Sequence, residues 1–124
     1  MAPTAPDDPG DFSIRIRSRG EILLIELGGP LSGAPVEITR MYLMKTLATQ
    51  AVPAVVVDLG GLTGLDEPGC EVLRWATGEA RRAGGRLVVT GGAALLGAGG
   101  APGLEHRPTI EAGLAALTTP DPPG

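Results

Sequence analysis

Three consecutive valines, Val55-Val56-Val57, leave this chain few ways to fold. β-Branched side chains favour extended backbone, and an unbroken apolar run, unlike an alternating one, is expected of a strand covered on both faces. Such strands belong to parallel sheets, whose members need a crossover between them. The chain supplies one: a helical pattern starting at Asp66, a stop at Gly84-Gly85, and a second apolar run, Leu87-Val88-Val89. The valine run itself ends at Asp58, and residues 59–65 read as a short loop leading to Asp66. Loops and helix N-termini with unpaired N–H groups converge at the carboxyl ends of parallel strands, so a binding surface is expected there.

The flanking segments fit the same architecture. Phe12, Ile14 and Ile16 alternate with Ser13, Arg15, Arg17 and Arg19, the pattern of a strand whose arginine face is solvated and discourages edge pairing, with an anion-binding stripe as the alternative. Ser18-Arg19-Gly20-Glu21 is a turn signal. Ile22 to Leu27 is a second buried strand, completing a hairpin that Gly28-Gly29-Pro30 should end. Ser32 and Pro35 mark the start of a helix over 35–49, with Val36, Leu43, Met44 and Leu47 as its stripe and Ile38, Met41 and Tyr42 widening the apolar arc. That arc reads mainly as core, with a partner-facing patch as the alternative.

In the helix after the loop, Asp66 or Glu67 is the expected cap, with Pro68 in the first turn where its missing N–H is no loss. Leu73, Ala76, Ala80 and Ala83 should face the sheet, opposite Glu71, Trp75, Glu79 and Arg82. Trp75 then suits either an interface anchor or a lid over a neighbouring helix. The glycines of 91–103 leave room for only a short helix near 93–96. Residues 105–108 suit an edge strand, and Thr109 caps a last helix with Ile110, Leu114 and Leu117 on one face. The expected fold is α/β: a mixed, mostly parallel sheet of four or five strands with flanking helices. It occupies residues 11–117, between flexible tails over 1–10 and 118–124.

Composition excludes several functions. At 124 residues the chain suits one domain, and aromatics make up only 2%, so the core is aliphatic. A net charge of −4 argues against nucleic acid as a direct partner. No apolar run reaches a membrane span and the N-terminus lacks signal-peptide character, so no membrane insertion and a cytoplasmic location are expected. Catalytic groups are sparse. His106 is the single histidine, Gly-x-Ser-x-Gly is absent, and Ala98-Gly99 stands where a P-loop beginning at Gly92 needs Lys and Ser or Thr. Asp58 and Asp66 read as a strand-end acid and a helix cap rather than a metal pair, and Cys70 has no companions at zinc spacing. Neither a cofactor nor an enzymatic activity is expected.

Three segments together, Val55-Val56-Val57-Asp58-Leu59, Leu65-Asp66-Glu67-Pro68-Gly69 and Ala83-Gly84-Gly85-Arg86-Leu87-Val88-Val89, resemble the STAS domain of anti-sigma factor antagonists. Family members read D-L-S-x-V-x-x-[ILM]-D-S-[ST]-G here, followed by a helix and a G-G-x-L strand. The resemblance implies a protein-interaction module of bacterial signalling whose partner is an anti-sigma factor or kinase-like regulatory protein. In the family the second hydroxyl residue of the motif is phosphorylated by that partner, and the added charge of about −2 releases the complex. Asp66 and Gly69 match the motif, but Glu67 replaces the first Ser and Pro68 occupies the phosphoacceptor position. Without a hydroxyl the usual switch cannot operate, and Thr63 is the nearest remaining one. The implied partner-binding residues are Gly61, Leu62, Thr63, Leu65, Asp66, Glu67, Pro68, Gly69 and Trp75. Two other readings stand beside this one: a regulatory STAS subunit of a lipid-transport ABC system, and a small ligand-binding α/β domain. Homodimerisation is left open.

Overall fold

In a computed structural model, residues 12–96 and 103–118 are described. Five strands form one mixed sheet in the order β1-β2-β3-β4-β5: β1 (Ser13–Arg19), β2 (Ile22–Leu31), β3 (Ala54–Leu65), β4 (Arg86–Thr90) and β5 (His106–Arg107). β1 is antiparallel to β2, and every other neighbour is parallel. The helices are α1 (Ala34–Thr49), α2 (Glu67–Arg82), α3 (Ala93–Leu96) and α4 (Ile110–Thr118). This is the expected α/β sheet with flanking helices. Thr118, the first residue of the tail expected over 118–124, instead ends α4, and the rest of that tail, like the tail expected over 1–10, lies outside the described residues.

The valine run behaves as its composition demands. Val55, Val56 and Val57 are fully buried, with Val55 and Val57 facing one cluster and Val56 another. On the first face α1 and α2 pack over Ile25, Leu27, Val55, Val57, Leu87 and Val89. On the second, Ile110, Leu114 and Leu117 of α4 cover Ile22, Leu24 and Val56. Gly113 permits this close approach, since a Cβ there would lie 2.5 Å from Thr90 Cγ2.

Gly84 and Gly85 stop α2 in a Schellman arrangement: Gly85 N–H donates to Ala80 O at 2.8 Å, Gly84 N–H to Arg81 O at 2.9 Å, and Gly84 takes φ 84°. Gly85 is required for a further reason. A Cβ would fall 1.9 Å from Pro53 O, the acceptor of the Arg86 N–H bond that starts β4 beside β3.

Several expectations are corrected. Residues 59–65 are not a loop but the second half of β3, and β2 does not end at Gly28-Gly29-Pro30. The two segments pair with each other through two register shifts, so glycine and proline are absorbed at bulges instead of breaking the strands. The buried stripe of α1 is Val36, Thr39, Leu43 and Thr46. Two threonines fill a rotation that apolarity alone assigned to Met44, which is exposed together with Ile38, Met41 and Tyr42. Gly33, not Ser32, takes the N-cap position of α1, without a side-chain bond. Ala83, expected to face the sheet, is the exposed C-cap residue of α2. Ile16 is 41% exposed because β1 is an edge strand and α1 lies over its inner neighbours.

Candidate functional site

The long β2 and β3 strands converge with the start of α2 at one end of the sheet. Asp66 takes extended backbone before α2, and its side chain accepts the Gly69 N–H at 2.9 Å, satisfying one of the helix's orphan donors. Pro68 occupies the first turn of α2 and is exposed. Gly69 is buried because the turn presses on β2: a Cβ would lie 3.0 Å from Leu31 O and 3.0 Å from Leu65 Cδ1. Asp66 N–H donates to Leu31 O at 3.4 Å, tying the two chains at the same point. Glu67 is exposed and pairs with Arg74 two turns along, Nη2 to Oε2 at 2.7 Å.

Gly61, Thr63, Glu67 and Pro68 are exposed, whereas Leu65, Asp66 and Trp75 are half-buried. Leu62 and Gly69 are buried and support the surface from beneath. Gly61 lets β3 run close to β2, since a Cβ would sit 3.0 Å from Leu27 O. The Trp75 ring lies between α1 and α2 and borders two recesses. One, of about 320 Å³, is lined by Val36, Glu37, Arg40, Pro68, Glu71 and Val72 with Trp75. The other, of about 220 Å³, continues along the helices past Met44, Leu47 and Glu79. Pro68, Glu71 and Trp75 share one face of α2 by their helical spacing, a signal present in the sequence. Their neighbours Val36 and Arg40 come from α1, and no local pattern could have assigned them.

The remaining reactive groups are engaged structurally. Asp58 Oδ1 accepts the Thr90 hydroxyl at 2.8 Å and its Oδ2 accepts Gly60 N–H at 3.2 Å. His106 Nε2 bonds Gly91 O at 2.8 Å. Burial raises the pKa of the Cys70 thiol, and the Glu67 charge adds to the effect, so the thiolate is disfavoured. Among the described residues no group of three His, Cys, Asp or Glu side chains could hold a metal ion, and no helix is long and apolar enough to cross a membrane.

A five-stranded mixed sheet with a capped, exposed helix start at the end of its longest strands defines a class of small α/β modules that present a surface there. The sequence model of the STAS domain matches residues 13–93, and the chain belongs to that family. No curated protein matches the chain by sequence. Its fold is similar to that of an anti-sigma factor antagonist from Mycobacterium paratuberculosis, at TM-score 0.75 and 15% identity over 94% of this chain and 99% of that one. It is similar also to a serine-to-glutamate variant of RsbS from Moorella thermoacetica, at TM-score 0.70 and 20% identity, covering 85% of this chain and 94% of that one. A third likeness is to the Bacillus cell fate determinant SpoIIAA in its phosphorylated form, at TM-score 0.61 and 20% identity, covering 86% and 98%.

Proposed function

We propose that this chain is a non-catalytic interaction module of the anti-sigma factor antagonist kind, and that it captures an anti-sigma factor or kinase-like regulator without a phosphorylation switch. The contact surface is formed by Gly61, Thr63, Leu65, Asp66, Glu67 and Pro68, extending to Trp75, with Leu62 and Gly69 beneath it. The observation that carries this reading is Pro68, exposed in the first turn of a side-chain-capped α2, where the family motif places its acceptor hydroxyl. Proline has no oxygen to accept a phosphoryl group, while Glu67 beside it supplies a permanent negative charge. A complex formed there persists in the presence of ATP.

The test is to incubate the protein with candidate partner kinases and ATP and to follow both phosphate incorporation and complex formation. The natural chain is expected to stay unmodified and bound. Pro68→Ser is expected to accept phosphate and then dissociate, because about two added negative charges would sit inside the interface. Stoichiometric phosphate on the natural chain, at Thr63 or elsewhere in residues 59–69, refutes the lost switch. Recovery of an ABC-type ATPase as the sole stable partner favours the transport-subunit reading instead.

A further inference from the structure

The β1 edge of the sheet carries a second surface, separate from the α2 start. Among the described residues β1 pairs only with β2, through a two-residue loop in which Gly20 has φ 63°. Such a loop makes Arg19 and Ile22 a hydrogen-bonded pair, and the alternation of an antiparallel ladder then turns the backbone N–H and C=O groups of Ile14, Ile16 and Ser18 outward. On one face of this open edge, Ile14 lies against the core and Ile16 is 41% exposed. Ile38 and Tyr42, 42% and 41% exposed, line neither recess between α1 and α2; because α1 packs on β2 and α2 on β3 and β4, the sheet order puts the α1 flank away from α2 on the β1 side. On the other face stand Arg15, Arg17 and Arg19. Arg17 pairs with Glu26 at 3.3 Å, whereas Arg15 and Arg19 have no ion pair among the described residues.

The arginines choose the occupant. A second copy is rejected, because any antiparallel pairing of β1 with itself that keeps the faces aligned sets arginine against arginine or spends them on Ser13, and like charges directly opposite are destabilising. A strand with acids at alternate positions is favoured by the same geometry. We propose that the β1 edge docks an extended segment of a partner protein in which acidic residues alternate with aliphatic ones. The backbone would add a sixth strand, the acids would face Arg15 and Arg19, and the aliphatic side chains would cover Ile16 and the outer flank of α1. Edge arginines thus repel self-association while selecting a complementary strand.

The probe is a labelled synthetic peptide alternating Glu with Val, titrated into the full chain by fluorescence anisotropy and followed by backbone amide shifts. Saturable binding is expected, with the largest shifts at β1 and on the outer flank of α1, and affinity should fall as salt rises. Arg15→Gln/Arg19→Gln, at two exposed positions, should keep the melting temperature and weaken binding by roughly tenfold, the combined effect of two surface ion pairs. The proposal is overturned if the peptide does not bind, if the double variant binds it equally well, or if a Lys-for-Glu peptide binds as tightly. It is equally overturned if the chain dimerises through β1, or if contacts from its own residues 1–11 occupy the edge. None of these results bears on the α2 surface, whose test uses a different partner and variant.

Discussion

Replacing the Asp66 cap separates the hydrogen-bonding and electrostatic contributions to the start of α2. Asp66→Ala removes the 2.9 Å bond from Gly69 N–H and leaves that donor without its partner in a half-buried turn pressed against Leu31. Loss of an N-cap side chain costs about 1 kcal/mol, within a range of about 0.5–2. Loss of a negative charge at a helix start costs about 0.3–1 kcal/mol, part of which Glu67 in the same turn retains. Asp66→Ala should therefore destabilise by about 1–2 kcal/mol. Asp66→Asn keeps an acceptor and should lose only the smaller, electrostatic share. Urea unfolding reads both, since Trp75 is the single tryptophan and sits between α1 and α2. With a denaturant slope of about 2 kcal/mol per molar, the alanine variant's midpoint should fall by roughly 0.5–1 M and the asparagine variant's by less than half of that. An unchanged midpoint for Asp66→Ala, or an equal fall for Asp66→Asn, would refute the assignment of Asp66 as a hydrogen-bonding cap.

Thr39 is fully buried and its hydroxyl has no partner among the described residues. An unsatisfied buried polar group costs about 1–3 kcal/mol, so Thr39→Val, which keeps the shape, should raise stability by about 1 kcal/mol and the melting temperature by about 4–8 °C; an unchanged or lower value contradicts this. Glu105 receives hydrogen bonds from Arg86, which hold its carboxyl pKa below the ordinary value despite partial burial. A carboxylate depressed in the folded state stabilises above its unfolded pKa, and that contribution is lost as pH falls through the folded value. Glu105→Gln should therefore be less stable than the natural chain at neutral pH, with the gap closing under acid. A gap that stays constant below pH about 4.5 would show that the carboxylate charge is not responsible.

Much of the candidate site was legible because it depends on residues close in sequence. The Asp66 cap, Pro68 in the first turn and the Gly84-Gly85 stop are contained within single turns of helix, so residue chemistry and spacing were enough to find them. The reach of the strands was not legible. Residues 59–65 contain three glycines and read as a loop, but pairing with 28–31 supplies the hydrogen bonds that their local propensity does not. Trp75 shows the same limit: its spacing put it opposite the sheet-facing stripe of α2, and only the arrival of α1 half-buries it and makes a recess beside Pro68.

By itself, then, the sequence determined the element order, the parallel core around Val55-Val56-Val57, the capped helix start and the absence of a hydroxyl at Pro68. Each follows from chemistry within a few residues or from one periodic pattern. Only the tertiary structure decided which surfaces remain open. It made β1 an edge strand with two arginines that have no ion pair among the described residues, turned Met44 outward while burying Thr39 and Thr46, and sank Leu62 and Gly69 beneath the surface they support. Exposure depends on what the rest of the chain brings alongside, and those neighbours come from segments distant in sequence.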